Sequence, residues 1–420
     1  MPLNRLFGRL FSATKVEMPT FYPHLNPLQL EQFLTVEEYT RIKSFDNFYI
    51  LPFVTQNGEA RQTCFGLGLS RLMIRNAMLL RDVSIHGPED TPEVPHEAIR
   101  DIAKAQPRSS HITGVANLGP EGYSLHVEVH RRSGPVNSAR VQQKDFRTFL
   151  RTCSTAIAQL LGSRIDADIT QKWDVGQPRT PESLIQLGRI HLNYERQQIA
   201  ERGQAAESLL QADPNFVVAM WDVDEEYPGA KETFLTGLVR DPHNAQLCFT
   251  TFCAVWVSRG PQPEALQFCR KAIELSPGHG KAHMCAPHAA QRPAEMLNHS
   301  ELGYRLLPGN SFAVNNYTLA LNRANAPAER RIELAQEGIA MDPRDPGNYQ
   351  RLIELYTELG DFKTALATAE ALQLLFEPTI DERALYCLRQ NPYMAKLLDS
   401  GQHDPAADNR QRIAELRARI

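Results

Sequence analysis

Histidine and cysteine gather at one place in this chain. The stretch CRKAIELSPGHGKAHMCAPH carries Cys269, His279, His283, Cys285 and His288. His279 and His283 stand four residues apart, a spacing that sets two imidazoles on one helical face and could hold zinc. No Glu sits where the base of a zinc hydrolase would, Pro287 interrupts the helix, and the full ligand spacing of zinc motifs is missing. Solvated histidines on a helix face are therefore expected, and no metal. A second candidate is FGLGLSR at 65–71, with Gly66 and Gly68. A dinucleotide loop needs a third glycine at 71, where Arg71 stands, and must follow its strand at a tight turn, whereas residues 55–65 intervene. These glycines are expected to let a helix lie close to a sheet. A third is HRRSGPVNSARVQQK, with Arg131, Arg132, Arg140 and Lys144. It lacks interleaved aromatics and a basic background, so it reads as a solvated hairpin and no nucleic acid is expected. There is no Gly-x-Ser-x-Gly elbow, phosphate-binding loop or kinase motif set. The expectation is a protein that is not an enzyme, with no catalytic residue and no cofactor.

Composition supports that. A chain of 420 residues is too long for one core. Its net charge of -4 gives no global pull toward nucleic acid or anionic lipid. The 7 cysteines are odd in number and scattered, which fits a reducing compartment and a cytoplasmic location. No apolar run approaches the ~20 residues that span a bilayer. At the N-terminus, Leu3, Leu6, Phe7, Leu10 and Phe11 fall at helical spacing opposite Arg5, Arg9 and Lys15. This is a docking helix on protein, or an interfacial helix whose only membrane contact would be peripheral, through residues 3–15.

The elements that would position any site fall into two halves. From 46 to 165 both periods occur. FYILPFV (48–54) suits a buried strand, residues 63–80 a helix, DVSIHG a strand, and PHEAIRDIAKAQ a helix. SSHITGVANLG, GYSLHVEVHRR and NSARVQQ alternate like an antiparallel meander, with turns at GPEG and RRSGPVN. Residues 144–162 form an amphipathic helix. TVEEYTRIKSF, before all of these, is a helix opened by a Thr35/Glu38 capping box. The order describes an α/β layer.

After about residue 175 the pattern is helical throughout. In IAMDPRDPGNYQRLIELYTELGDFKTALATAEAL, Tyr349, Leu352 and Tyr356 share one face, Gly360 ends the helix, and Asp361 caps a second with Ala365, Leu366 and Ala369 on its stripe. Prolines at 214, 242, 277, 308, 343 and 378 recur at intervals of 28, 35, 31, 35 and 35 residues. Each stops the second helix of a pair. WDVDEEYPGAKETFLTGLVRDP is a degenerate copy. The tail AADNRQRIAELRARI reads as a polar closing helix.

Those positions resemble the tetratricopeptide repeat family over roughly 180–380, most clearly at Tyr349, Leu352, Tyr356, Gly360, Ala365 and Leu366. Ile353 stands where the family prefers a small residue. The N-terminal half resembles the TolB N-terminal-like domain of bacterial signalling proteins over roughly 46–165, through ILPFV, Gly68-Leu69 and TGVANLG with Gly114 and Val115. It departs at Ser70, Arg71 and Arg75, where acidic residues are usual, so a function resting on acidity there does not carry over. The resemblance implies a pair of domains that usually follows an effector. About 45 residues precede it here, which implies that any effector is a separate molecule.

The expected fold is α+β, mostly α: N-terminal docking helices (1–45), a TolB-N-like α/β domain (46–165), an α-solenoid of five or six tetratricopeptide-like hairpins (176–380), and C-terminal capping helices (381–420). By family register the concave face carries Asn316, Tyr317, Arg323, Gln350, Arg351, Glu354 and Glu358, and would bind a peptide or helix of a protein partner. Ala320 and Glu354 stand at positions where a carboxylate clamp needs other residues, so no clamp is expected. The functional expectation is an adaptor or scaffold subunit of a bacterial complex. The alternative is a regulatory subunit whose α/β domain binds a small ligand and signals to a separate effector.

Overall fold

The structure is a computed structural model. It describes residue 21 and residues 34–55, 58–91, 109–192, 199–223, 229–259, 263–288, 293–389 and 392–420. The expected docking segment 3–15 and the helix expected at 95–106 lie outside these. The described chain is mostly helical, with an N-terminal mixed five-stranded sheet followed by consecutive packed helix pairs. It divides into two compact units, Met1–Ala282 and His283–Ile420.

In the first unit, α1 (Val36–Ile42) opens on the expected capping box: Thr35 Oγ1 accepts the Glu38 N–H, and the Glu38 carboxylate accepts the Thr35 N–H. Then come β1 (Asn47–Ile50), α2 (Ala60–Ala77), β2 (Ser84–His86) and a 3-10 turn (Pro88–Asp90). β3 (His111–Gly119), β4 (Gly122–His130) and β5 (Asn137–Gln143) complete the sheet, in the order β2-β1-β3-β4-β5. β1 runs parallel to β2 and β3, and β3-β4-β5 is an antiparallel meander. β1 is a continuous apolar run because it is covered on both faces: Phe48, Tyr49 and Ile50 are buried. β4 alternates, with Leu125, Val127 and Val129 inward and His126, Glu128 and His130 half-exposed.

α3 (Phe146–Leu161) starts where Asp145 accepts the Thr148 N–H at 2.8 Å and stops at Gly162, which has φ +79°. Phe65 stacks on Tyr123 and on Phe149, which joins α2 to β4 and α3. The helices α4 (Ala167–Asp174), α5 (Pro181–Leu192), α6 (Ile199–Ala212), α7 (Ala230–Arg240), α8 (Ala245–Arg259) and α9 (Pro263–Leu275) follow, and the unit ends within α10 (Gly280–Cys285). A 3-10 turn, Val217–Asp222, leads into the degenerate copy.

Glycine lets α2 pack closely on two sides. A Cβ at Gly66 would stand 2.5 Å from the Phe53 carbonyl oxygen, beside the sheet. At Gly68 it would stand 1.9 Å from the Leu184 carbonyl oxygen, and at Gly188 1.8 Å from that of Cys64. Two reciprocal glycines thus set the crossing of α2 and α5 at backbone contact.

In the second unit, α11 (Pro293–Leu306), α12 (Ser311–Arg323), α13 (Ala328–Met341), α14 (Pro346–Glu358) and α15 (Phe362–Gln373) pack in sequence, followed by α16 (Glu382–Arg389), α17 (Pro392–Asp399) and α18 (Pro405–Arg417). Asn310, Asp345, Asp361 and Asp404 each accept a backbone N–H at a helix start. Gly360, at φ +76°, turns α14 into α15. Ala365 and Ala369 are fully buried between helices, as small residues at a close crossing must be. The tail helix α18 returns to α15: Asn409 Nδ2 donates to the Ala369 carbonyl at 2.9 Å, and Ile413 and Leu416 join the core of Ile353, Ala369 and Leu372.

Candidate functional site

Two of the inner-face candidates meet in a cleft of the second unit. The cleft holds about 370 Å³. Ile353, Glu354, Thr357 and Glu358 of α14 form one wall; Arg412, Glu415 and Leu416 of α18, with Arg419 after it, form the other. Its floor is apolar, because Ile353 and Leu416 are buried. Its rim mixes both charges. Glu354 pairs with Arg351 one helical turn back. Glu358 receives two parallel bonds at 3.2 Å from the buried Arg331 guanidinium of α13, which also donates to Asn322. Glu415 accepts from Gln411, and Arg419 lies 5.4 Å over the Phe362 ring. The fork of Arg331 fixes the Glu358 carboxylate in direction. Volume and lining suit a few side chains of a peptide, with apolar contact below and charge selection at the rim.

The other candidates stand elsewhere. Asn316 Nδ2 donates to the Met284 carbonyl at 3.2 Å. Tyr317 stacks on Tyr304 at 5.4 Å within the core of Val314, Leu321 and Leu334. Arg323 is exposed, with Nη1 3.6 Å from the Met296 sulfur. Gln350 is half-buried. Leu3, Leu6, Phe7, Leu10 and Phe11 lie outside the described residues. The Arg412, Glu415 and Arg419 wall was missed because the tail reads only as a closing helix, although their spacing of three and four puts all three on one face.

The histidine stretch takes other roles. His279 Nδ1 accepts the Ala282 N–H, and Cys269 Sγ donates to the Ala282 carbonyl. His283 instead meets His299, which the local spacing did not indicate. Their Nδ1 atoms lie 2.9 Å apart and the rings stack at 5.1 Å. Burial, and then the His283 imidazole, hold His299 well below the usual imidazole range. Among the described residues no group of three His, Cys, Asp or Glu could hold a metal ion.

The first unit contains a buried ionic network. Asp241, the residue before a helix-stopping proline, is fully buried and accepts from Arg75 of α2 at 2.7, 2.8 and 3.2 Å. Arg75 also donates to the Lys172 carbonyl and to Asn76 Oδ1, each at 2.9 Å. Asn76 reaches Ser154 of α3, and its carbonyl accepts Trp173 Nε1–H. A parallel set joins the 3-10 turn to α10: Lys281 pairs with Asp90 at 3.0 Å and Arg71 with Glu89 at 3.4 Å. Burial would raise Glu89, but Arg71 and Lys281 outweigh it and hold the carboxyl well down. Burial dominates at Asp90 and raises it. Burial, reinforced by Lys281, lowers His86 to about 3.

No family model matches the chain. No curated protein matches it either.

Proposed function

We propose that the chain is a non-catalytic adaptor of a bacterial, cytoplasmic complex that binds a partner peptide or helix along the inner face of its C-terminal hairpins. The observation that carries this is the α14–α18 cleft, where an apolar floor is rimmed by Glu354, Glu358, Arg412 and Arg419. The likeness of the helix pairs to tetratricopeptide repeats, and of the sheet region to TolB N-terminal-like domains, supports the same reading. The test is a native pull-down with full-length bait and mass spectrometry, run beside the Gln350→Ala, Glu354→Arg double variant. Glu354 is exposed and Gln350 half-buried, and an unchanged melting temperature verifies the fold. One stoichiometric partner held by the wild type and lost by the variant is expected. Equal retention by both removes the inner face from the reading.

A second reading has its own support. The Arg75–Asp241 bond and the Gly68/Gly188 crossing tie α2, which packs on the sheet, to the first helix pairs of the same unit. A small ligand that moved α2 would therefore move those helices. This regulatory reading expects a ligand-dependent rise in melting temperature; occupancy at a hundredfold excess over Kd is worth about 2.7 kcal/mol. Melting curves unchanged by a panel of nucleotides, amino acids and sugar phosphates count against it.

A further inference from the structure

The sheet has two edges, and the chain treats them differently. β2 is buried at all three residues. Ser84 Oγ donates to the Gly278 carbonyl at 2.6 Å, and a Cβ on Gly278 would stand 2.6 Å from the Val83 carbonyl oxygen. That edge is covered by the turn between α9 and α10. β5 is the opposite case: Asn137, Ser138, Arg140 and Gln142 are exposed and only Val141 is buried. Its seven residues pair in unbroken register with β4, and no other described residue hydrogen-bonds to its backbone. In an antiparallel ladder alternate residues aim their N–H and C=O away from the neighbour, so one row of donors and acceptors faces outward. Neither proline nor a bulge interrupts that row, although natural sheets use both to blunt an edge.

The charge along this edge has one sign. Arg132, Arg140, Lys144 and Arg147 are exposed, and none is ion-paired or hydrogen-bonded through its side chain to a described residue. Arg131, next in sequence to Arg132, shows the contrast: it pairs with Asp46, donates to the Leu161 carbonyl and lies over the Phe48 ring at 5.0 Å. Of the nearby acids, Asp145 is committed to capping α3, and Glu128 is held by His126 and His130. Glu121 in the β3–β4 turn is the one exposed exception.

We infer that β5 is a second docking surface, which takes an extended acidic segment of a partner protein as a sixth strand. The outward backbone row supplies non-specific hydrogen bonds, and the cations select the segment. The same cations act against a second copy of this chain, because two β5 strands would bring like charges together. Single-stranded nucleic acid is disfavoured by the absence of aromatic side chains on the edge for bases to stack on. The inference does not depend on the inner face of the C-terminal hairpins binding anything.

The test uses full-length protein and an end-blocked heptapeptide of alternating Glu and Val, labelled for fluorescence anisotropy at low salt. Two further probes are the same peptide N-methylated at alternate residues along one edge, and a single-stranded oligodeoxynucleotide. Saturable binding of the parent peptide is expected, with slowed hydrogen exchange confined to the β5 amides. Arg140→Glu with Lys144→Glu should weaken binding about tenfold. N-methylation of the bonding edge should abolish it. Both substituted side chains are exposed, and an unchanged melting temperature verifies the fold. Equal binding of the methylated peptide overturns strand addition. Tighter binding of the oligonucleotide, or a dimer whose β5 amides are protected without peptide, overturns the assigned occupant. No binding of the peptide overturns the inference.

Discussion

The first unit keeps its decisive charges inside, and the second wears most of its charges outside. Arg75 and Asp241 have side chains 1% and 0% exposed, whereas Arg417 and Glu370 are 64% and 47% exposed. The first unit joins a sheet to helices, and its partners must match in one register. A buried ion pair gives little net stability but penalises every arrangement that leaves one member unpaired. The second unit stacks one hairpin on the next, so its stability is closer to a sum of neighbour terms. Substitutions in the first unit should therefore be severe and coupled, and those on the surface of the second mild and additive.

The largest effect should come from Asp241→Ala. It strands the Arg75 guanidinium in a dry site, which costs about 3–5 kcal/mol. The double change Arg75→Met, Asp241→Leu should recover most of that, because two apolar groups need no desolvation. All three tryptophans, Trp173, Trp221 and Trp256, lie in the first unit. Tryptophan fluorescence in a urea titration thus follows that unit, and far-ultraviolet circular dichroism follows both. If Asp241→Ala shifts the two signals equally, the units unfold together and the contrast between them fails.

Backbone contact comes next. Gly188→Ala sets a methyl against the Cys64 carbonyl, which cannot turn aside, so α2 and α5 must separate at a cost of about 1–3 kcal/mol. The matching probe in the second unit is Gly338→Ala, whose Cβ meets the Asn348 amide. A side chain can yield where a carbonyl cannot, so the smaller loss is expected there.

On acidification the two units should behave alike. Burial holds the folded pKa of His86 in the first and of His299 in the second below the ordinary imidazole value of about 6.5. The unfolded chain then binds a proton that the folded chain refuses. The stability is complete above pH 6.5 and is lost as pH falls, by up to about 1.4 kcal/mol per pH unit for each group. At His86 the loss continues to about pH 3. His86→Phe and His299→Phe should each flatten the acid limb of its own unit in urea titrations across that range. An unchanged slope in either variant would assign the acid sensitivity to other groups.

What was legible in the sequence was local. β3 to β5 follow from alternation over nine, nine and seven residues. The hairpin Tyr349–Ala369 follows from one glycine and one capping aspartate between two apolar stripes. The Asp-Pro turns gave the period, but not the second use of their aspartates. Asp213 accepts from Ser183, Asp342 from Arg383, and Asp241 from Arg75. The last pair is 166 residues apart, and no local pattern marks a helical arginine as buried. The same limit applies to the cleft: the α14 wall could be read from helix register, but the α18 wall depends on the tail returning to α15.

The smallest effect separates the surface of the second unit from a charge buried within it. Glu370 meets Arg417 with both side chains well exposed, so Glu370→Ala should cost less than about 0.5 kcal/mol. Glu358→Ala should cost more, because Arg331 is 8% exposed and would keep only Asn322 as a partner. The two variants remove the same group from helices of the same array, and circular dichroism in urea compares them directly. A ratio near one would mean that Arg331 reaches water once released. Glu358 would then be free to turn toward a ligand in the cleft, and the fixed carboxylate assigned to the rim would have to be given up.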